Sequence, residues 1–213
     1  MEQYLSSTYF FDFEHRDFQH YLNGLILKAE SPRALAIELY YAVRDGWWYD
    51  PYDIYWEKER WQCSSILKKK QGHCIDKAIL LVAALRAKAI PARLHFAKVK
   101  NHIAVEQLVQ ELGTDELTPH AYAEVWLDGR WVAATPAFNK ALCEHLGVAP
   151  LEFDGQTDSV FQQFDTEGNR FMEYLDDYGS FADLPLDFII NNFKAHYPVL
   201  VQRFMQKKKA SES

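Results

Sequence analysis

From Ile75 to Lys88 the chain reads Ile-Asp-Lys-Ala-Ile-Leu-Leu-Val-Ala-Ala-Leu-Arg-Ala-Lys, and this segment constrains the fold more than any other. Ile75, Ala78, Ile79, Val82 and Leu85 recur at helical spacing, while Leu80, Leu81 and Ala84 fill the remaining sides. A helix apolar on nearly every side has no face to offer water, so it must run through the centre of a domain. Such a core needs length, and 213 residues with 48% apolar and 25% charged side chains supply it in an ordinary globular composition. Ala89-Ile90-Pro91 closes the helix, because Pro91 disfavours helical geometry in the residue before it. Gly72-His73-Cys74 opens it, which puts a cysteine at the N-terminal end of a buried helix.

Other segments frame this one. Ser31 to Arg44 predicts a helix with Ser31 as N-cap, Pro32 in the first turn, Leu35, Leu39, Ala42 and Val43 at helical spacing, and Gly46 as its end. The aromatic loop Trp47-Trp48-Tyr49-Asp50-Pro51-Tyr52 reads as core or cleft wall. Arg93 to Ala97 suggests a strand. His120–Leu127 and Arg130–Thr135 flank Asp128-Gly129, the favoured two-residue type I′ turn, and predict a hairpin. Residues 150–185 are acidic and turn-rich, and Pro185 to about Gln206 reads as an amphipathic helix interrupted near Pro198. Helices first and an antiparallel sheet later say α+β. The expected organisation is a core over 1–145 with N-terminal helices, an extension over 146–206 packed on it, and a disordered tail over 207–213.

The net charge of -7 argues against a nucleic-acid partner, which needs a basic face. No apolar stretch approaches the roughly 20 residues needed to span a bilayer, and Lys207, Lys208 and Lys209 are too few for a membrane-surface patch. No basic region followed by an apolar run opens the chain, so no secretory signal is expected. Cys63, Cys74 and Cys143, an odd and sparse set, read as reduced thiols of a cytoplasmic protein, with one structural disulfide as the alternative.

A thiol is a nucleophile only as thiolate, and a helix N-terminus and a neighbouring imidazole both favour that form. Cys74 has the first, and Gly72 allows close backbone approach. Alone, Cys74 reads as a small buried hydrophobe, as most free cysteines do. The hairpin supplies the imidazole. Its register puts His120, Tyr122, Glu124 and Trp126 on one face with Trp131, Ala133 and Thr135, and leaves a small apolar face of Ala121, Ala123, Val125, Leu127, Val132 and Ala134 to pack on a neighbour. His120 and Thr135 are then diagonal neighbours, as a general base and its orienting partner need to be. Glu124 on that face would need a cation such as Arg93.

Gly72-His73-Cys74 with Leu85-Arg86-Ala87-Lys88-Ala89-Ile90-Pro91-Ala92-Arg93, and His120-Ala-Tyr-Ala-Glu-Val-Trp-Leu-Asp-Gly-Arg-Trp131, resemble the cysteine and histidine motifs of the transglutaminase-like superfamily. Ala42-Val43-Arg44-Asp45 with Tyr49 is similar to the segment before that core, and the resemblance covers roughly residues 31 to 139. It implies a papain-like α+β fold, a buried Cys-bearing helix packed against an antiparallel sheet, and a Cys–His–Asp triad acting on amide or peptide bonds of a peptide or protein through a thioester, without a cofactor. The family's aspartate falls here on Thr135, ahead of Pro136. A hydroxyl accepts a hydrogen bond from the imidazole but brings no charge. In serine proteases neutralising that aspartate costs roughly 10⁴ in turnover, largely through the wrong tautomer; a smaller loss is expected of a Cys–His pair. Asn139 has the right strand parity to substitute, unless Pro136 ends the strand first, and Asp158 is a remoter candidate. The reading is therefore an enzyme using Cys74, His120 and Thr135, with a non-catalytic binding or scaffold domain as its alternative. The oxyanion hole would draw on the Cys74 N–H and on Trp48, Tyr49 or Gln62.

His73, Cys74, His95, His102, Cys143 and His145 include no C-x-x-C or H-E-x-x-H spacing, so no metal is expected. His102 reads as part of a solvated loop near Lys98 and Lys100, Gly113-Thr114 as an isolated turn, and Glu173, Asp176, Asp177 and Asp183 as solvated surface rather than a calcium site.

Overall fold

The computed structural model describes residues 1–102 and 105–211. Helices dominate its first half: α1 (Arg16–Gly24), α2 (Pro32–Gly46), a two-residue strand β1 (Trp48–Tyr49), the short α3 (Cys63–Ile66), a second such strand β2 (Gln71–Gly72), and α4 (Cys74–Ala87). The second half carries β3 (Ala92–Asn101), α5 (Val105–Leu112), β4 (Glu116–Leu127), β5 (Arg130–Ala134), α6 (Lys140–Leu146), β6 (Met172–Phe181), α7 (Leu186–His196) and α8 (Pro198–Ser211).

The start of α2 matches its sequence signals. The Ser31 hydroxyl accepts from the Ala34 amide at 3.2 Å and Pro32 occupies the first turn, where a missing N–H costs nothing. The enclosure predicted for α4 is complete, since every residue from Cys74 to Arg86 is buried. Its two buried cations have carbonyl partners. Lys77 Nζ donates to Arg44 O at 2.8 Å and Trp47 O at 2.9 Å, tying α4 to the end of α2, and burial takes its pKa down to about 7. Arg86 donates to Ala92 O through Nε at 3.0 Å and Nη2 at 2.9 Å, and to Ser6 O at 3.0 Å.

α4 packs on a four-stranded antiparallel sheet of order β5-β4-β3-β6. Ala92↔Val125, Leu94↔Ala123 and Phe96↔Ala121 pair across β3 and β4, and all six are buried. With Val132 and Ala134 they form the small apolar face expected of the hairpin, and alanines let a helix backbone come close. The turn is the expected one, with φ of 49° at Asp128 and 85° at Gly129, and it sets Leu127 opposite Arg130 and Trp126 opposite Trp131.

Three expectations need correction. Residues 172–181, read as part of a turn-rich stretch, form edge strand β6 against β3. Asp176, Asp177 and Gly179 are strand-poor residues, and an edge with two register shifts tolerates them. Lys98 and Lys100 lie inside β3 rather than in a loop, paired with Glu116 at 2.6 Å and Asp115 at 3.2 Å; His102 directly follows the strand, its amide donating to Phe171 O at 2.8 Å. The terminal helix breaks at Pro198 as expected, but α8 continues through Ser211 across the three lysines read as disordered tail. Gln206, the lysines and Ala210 are good helix formers with no breaker among them. Residues 212–213 lie outside the described residues.

Candidate active site

Cys74 is the first residue of α4, and the turn before it is tightly built. His73 is the N-cap: its Nδ1 accepts from the Asp76 amide at 3.2 Å, while the Asp76 carboxylate accepts from the His73 amide at 3.3 Å, a reciprocal capping box. Asp76 is fully buried and also takes the Tyr55 hydroxyl and, at 2.8 Å, Lys69 Nζ. Gly72 makes this possible, because a Cβ there would stand 2.8 Å from that of Asp76. Parallel pairing of β1 with β2 sets Tyr49 opposite Gly72, which brings the aromatic loop to the start of the helix. The Asp76 network escaped the sequence reading, although an acidic residue three positions after a polar N-cap is its signal.

The Cys74 sulfur lies against β4. Burial pushes its pKa up to about 11, while the nearby amides of Ala121 and Ile75 pull the other way by favouring thiolate. Ala121 is the residue after His120. His120 itself sits opposite Ala97 and is 2% exposed; neither of its ring nitrogens has a hydrogen-bond partner among the described residues. Burial alone lowers its pKa to about 4. Two unpaired nitrogens on one buried ring are rare in folded proteins and mark either an unspent function or an unmade contact.

Thr135 does not make that contact. β5 stops at Ala134, and the chain then turns to the 159–160 segment: the Thr135 amide donates to Ser159 O at 2.9 Å and its hydroxyl donates to Val160 O. The Tyr40 hydroxyl donates to Thr135 O at 3.0 Å and holds the turn in place. The alternatives are engaged elsewhere too. Asn139 Oδ1 accepts from the Tyr49 amide at 3.1 Å, and the Asp158 carboxylate accepts from the Ala133 amide at 2.9 Å. Of the three oxyanion candidates, only Tyr49 borders Cys74. Trp48 is 55% exposed, and Gln62 Nε2 donates to Tyr9 O at 3.4 Å.

The space at Cys74 is small. A cavity of about 20 Å³, room for one water, is bounded by Tyr49, His73, Cys74, Leu117, Phe193 of α7 and Tyr197, the residue that follows it. α7 is tied down beside it: Tyr197 Oη accepts from the Thr118 amide at 2.6 Å, and the Thr118 hydroxyl donates to Asn192 Oδ1 at 3.0 Å. Tyr49, Pro51 and Leu117 also border an open pocket of about 220 Å³ walled by Leu108, Phe138 and Leu142. All three cysteines are free and buried. Among the described residues no group of three or more His, Cys, Asp and Glu side chains could hold a metal ion, and no helix is long and apolar enough to cross a membrane.

The sheet carries a second cluster, around His95. His95 Nδ1 is 3.0 Å from Ser180 Oγ and its Nε2 is 2.8 Å from Asp177 Oδ1, an arrangement with the residue types of a serine-hydrolase triad. It is not one. The Ser180 hydroxyl donates to Glu124 at 2.6 Å, and Glu124 also accepts from Arg93 Nε at 2.6 Å, the pairing expected for it. Burial alone would lower the His95 pKa, but Glu124 and Asp177 outweigh it and raise the value, so this imidazole favours holding its proton over taking one from serine. Burial likewise works against Glu124 ionising, yet His95, Arg93 and Ser180 bring its pKa down to about 2. The cluster pins β6 to β3 and β4.

The family model of the transglutaminase-like superfamily matches residues 19–136, more than half of the chain. Among solved structures, a candidate cysteine protease from Cytophaga hutchinsonii is similar at 15% identity and a TM-score of 0.48, over 84% of this chain and 52% of that one. The chain thus spans about half the length of that protein. No curated protein matches it.

Proposed function

Because this chain belongs to the transglutaminase-like superfamily, we propose that it is a cysteine enzyme acting on amide or peptide bonds of peptides or proteins through a thioester on Cys74. The observation that carries this reading is a buried imidazole, His120, with both nitrogens unpaired, one residue from the amide that borders the Cys74 sulfur. Buried polar groups in folded proteins are in the large majority paired. In the reaction the Cys74 proton passes to a His120 nitrogen as the sulfur bonds to the amide carbonyl carbon. The C–N bond then breaks, and the amine leaves with the proton from His120. Water or a second amine attacks the thioester, His120 takes its proton, and the C–S bond breaks to return the thiol. The amides at the start of α4 face charge that develops on the carbonyl oxygen.

The described conformation is a resting one. Burial holds the thiol well above neutrality and the imidazole well below it, so thiolate and imidazolium do not form until the site admits water or substrate. Phe193 and Tyr197 would have to move first. That cover, with the Thr135 hydroxyl turned to Val160, favours the second reading, a domain that keeps the fold and serves as a binding or scaffold module. Alkylation of the intact chain by iodoacetamide at mildly acidic pH separates the two. Selective labelling of Cys74, lost in His120→Ala, is expected of the enzyme. Equally slow labelling of Cys63, Cys74 and Cys143 sinks it in favour of the module.

A further inference from the structure

We propose that His73 is a catalytic residue whose Nε2–H, together with the Cys74 backbone N–H, forms the oxyanion hole of the thioester reaction. The proposal rests on the enzyme reading above.

His73 Nδ1 accepts from the Asp76 amide at 3.2 Å as the N-cap of α4. A neutral imidazole that accepts through Nδ1 carries its proton on Nε2. The ring is held neutral, since burial lowers its pKa more than Asp76 raises it. Helix capping therefore fixes the tautomer, and the donor is Nε2. Among the described residues that nitrogen has no partner, although His73 is only 4% exposed. A buried N–H without an acceptor is a standing cost, tolerated where an acceptor arrives during function.

The place where an acceptor would arrive is defined. His73 and Cys74 border the same cavity, which holds about one water. A carbonyl carbon bonded to the sulfur would put its oxygen in that space. The ring also cannot turn away easily. Its centroid is 5.7 Å from that of Tyr55 at 21° between planes, and 5.5 Å from that of Trp61 at 42°, both rings being fully buried. Tyr55 is itself held through its hydroxyl by Asp76. A fixed donor in a dry site, needing no rearrangement when charge appears, is what electrostatic stabilisation of a tetrahedral intermediate requires. The candidates named from the sequence are less suited: the Tyr49 amide is given to Asn139, Trp48 lies exposed, and Gln62 bonds Tyr9.

Two reagents on the intact chain test this. p-Nitrophenyl acetate acylates Cys74 through an oxyanion, whereas iodoacetamide alkylates it by displacement without one. Both must pass the same cover, so the ratio of their rates cancels any opening step. His73→Ser and His73→Asn keep an N-cap acceptor but cannot reach the cavity with an N–H. In both, acylation is expected to fall by about 10² to 10³ and alkylation to stay within about threefold of wild type. A parallel loss of both rates would make His73 a structural cap alone, and an unchanged ratio would likewise overturn the proposal. Nitrogen-15 NMR of the wild-type protein gives an independent reading: the Nε2-protonated tautomer is expected for His73, and a proton on Nδ1 refutes the assignment. His120→Leu separates this from the enzyme reading. If it lowers both rates while the His73 variants leave the ratio untouched, the enzyme stands and the His73 role falls. If Cys74 resists the ester in wild type, both fall.

Discussion

His95 and His120 sit on neighbouring strands of one sheet, two pairings apart, since His95 lies opposite Tyr122 and His120 opposite Ala97. Their surroundings are opposite. His95 stacks on Tyr122 at 4.7 Å and touches Glu124, Asp177 and Ser180, and its pKa rises. His120 has no polar partner, and its pKa drops to about 4. A histidine with its hydrogen bonds made holds a structure together. One kept dry and unpaired weakens the fold, so its presence asks for another reason, which the proposed reaction would supply.

The contrast is sharpest in activity. With an amide substrate in hand, His120→Leu and Cys74→Ala should each lower turnover by ~10⁴ or more, while His95→Gln should leave it within a few-fold; steady-state kinetics on the three variants checks this. A comparable loss in His95→Gln would erase the distinction. Stability should show the reverse. Glu124→Ala strands Arg93 and His95 without their shared carboxylate and should cost about 2 kcal/mol in urea unfolding, below the ~3–5 of a fully enclosed pair because the Arg93 and Glu124 side chains are themselves partly hydrated. Removing the unpaired ring by His120→Leu should instead stabilise the fold by about 1 kcal/mol, as an unsatisfied buried group is lost. A destabilised His120→Leu would mean that the ring has a partner.

The same contrast extends to pH dependence. His120 titrates near 4 in the folded state against an ordinary value of 6.5, so between those values the unfolded chain binds more protons and stability falls as pH falls. By pH 4 this amounts to about 3 kcal/mol. His73, also lowered by burial, adds to the same limb. For His95 the folded value lies above 6.5, so its contribution is fully present below that pH and is lost as pH rises through the folded value. Unfolding midpoints across pH should therefore lose part of their acid slope in His120→Leu and part of their slope above pH 6.5 in His95→Gln. Identical profiles in the two variants would contradict the opposed environments.

Much of the fold around the candidate site was legible because its signals are local. The all-round apolar pattern of Ile75–Lys88 placed α4 at the centre, and Asp128-Gly129 set the register that puts Ala121 and Ala123 inward and His120 outward of the hairpin's small face. The Arg93–Glu124 pair followed from a buried carboxylate needing a cation. What escaped is non-local. β6 has the composition of a loop and becomes a strand through β3. Strand parity put Thr135 near His120, but parity says nothing about a competing carbonyl at Val160.

By itself the sequence settles that a cysteine opens a buried helix and that a histidine lies in a hairpin of defined register, because helix periodicity and turn geometry are properties of adjacent residues. Only the tertiary structure decides which histidine stays unpaired, where the Thr135 hydroxyl bonds, and that Phe193 and Tyr197 border the cavity at Cys74. Those outcomes depend on hydrogen-bond partners and packing rings supplied from tens of residues away, and chain folding alone brings them within reach.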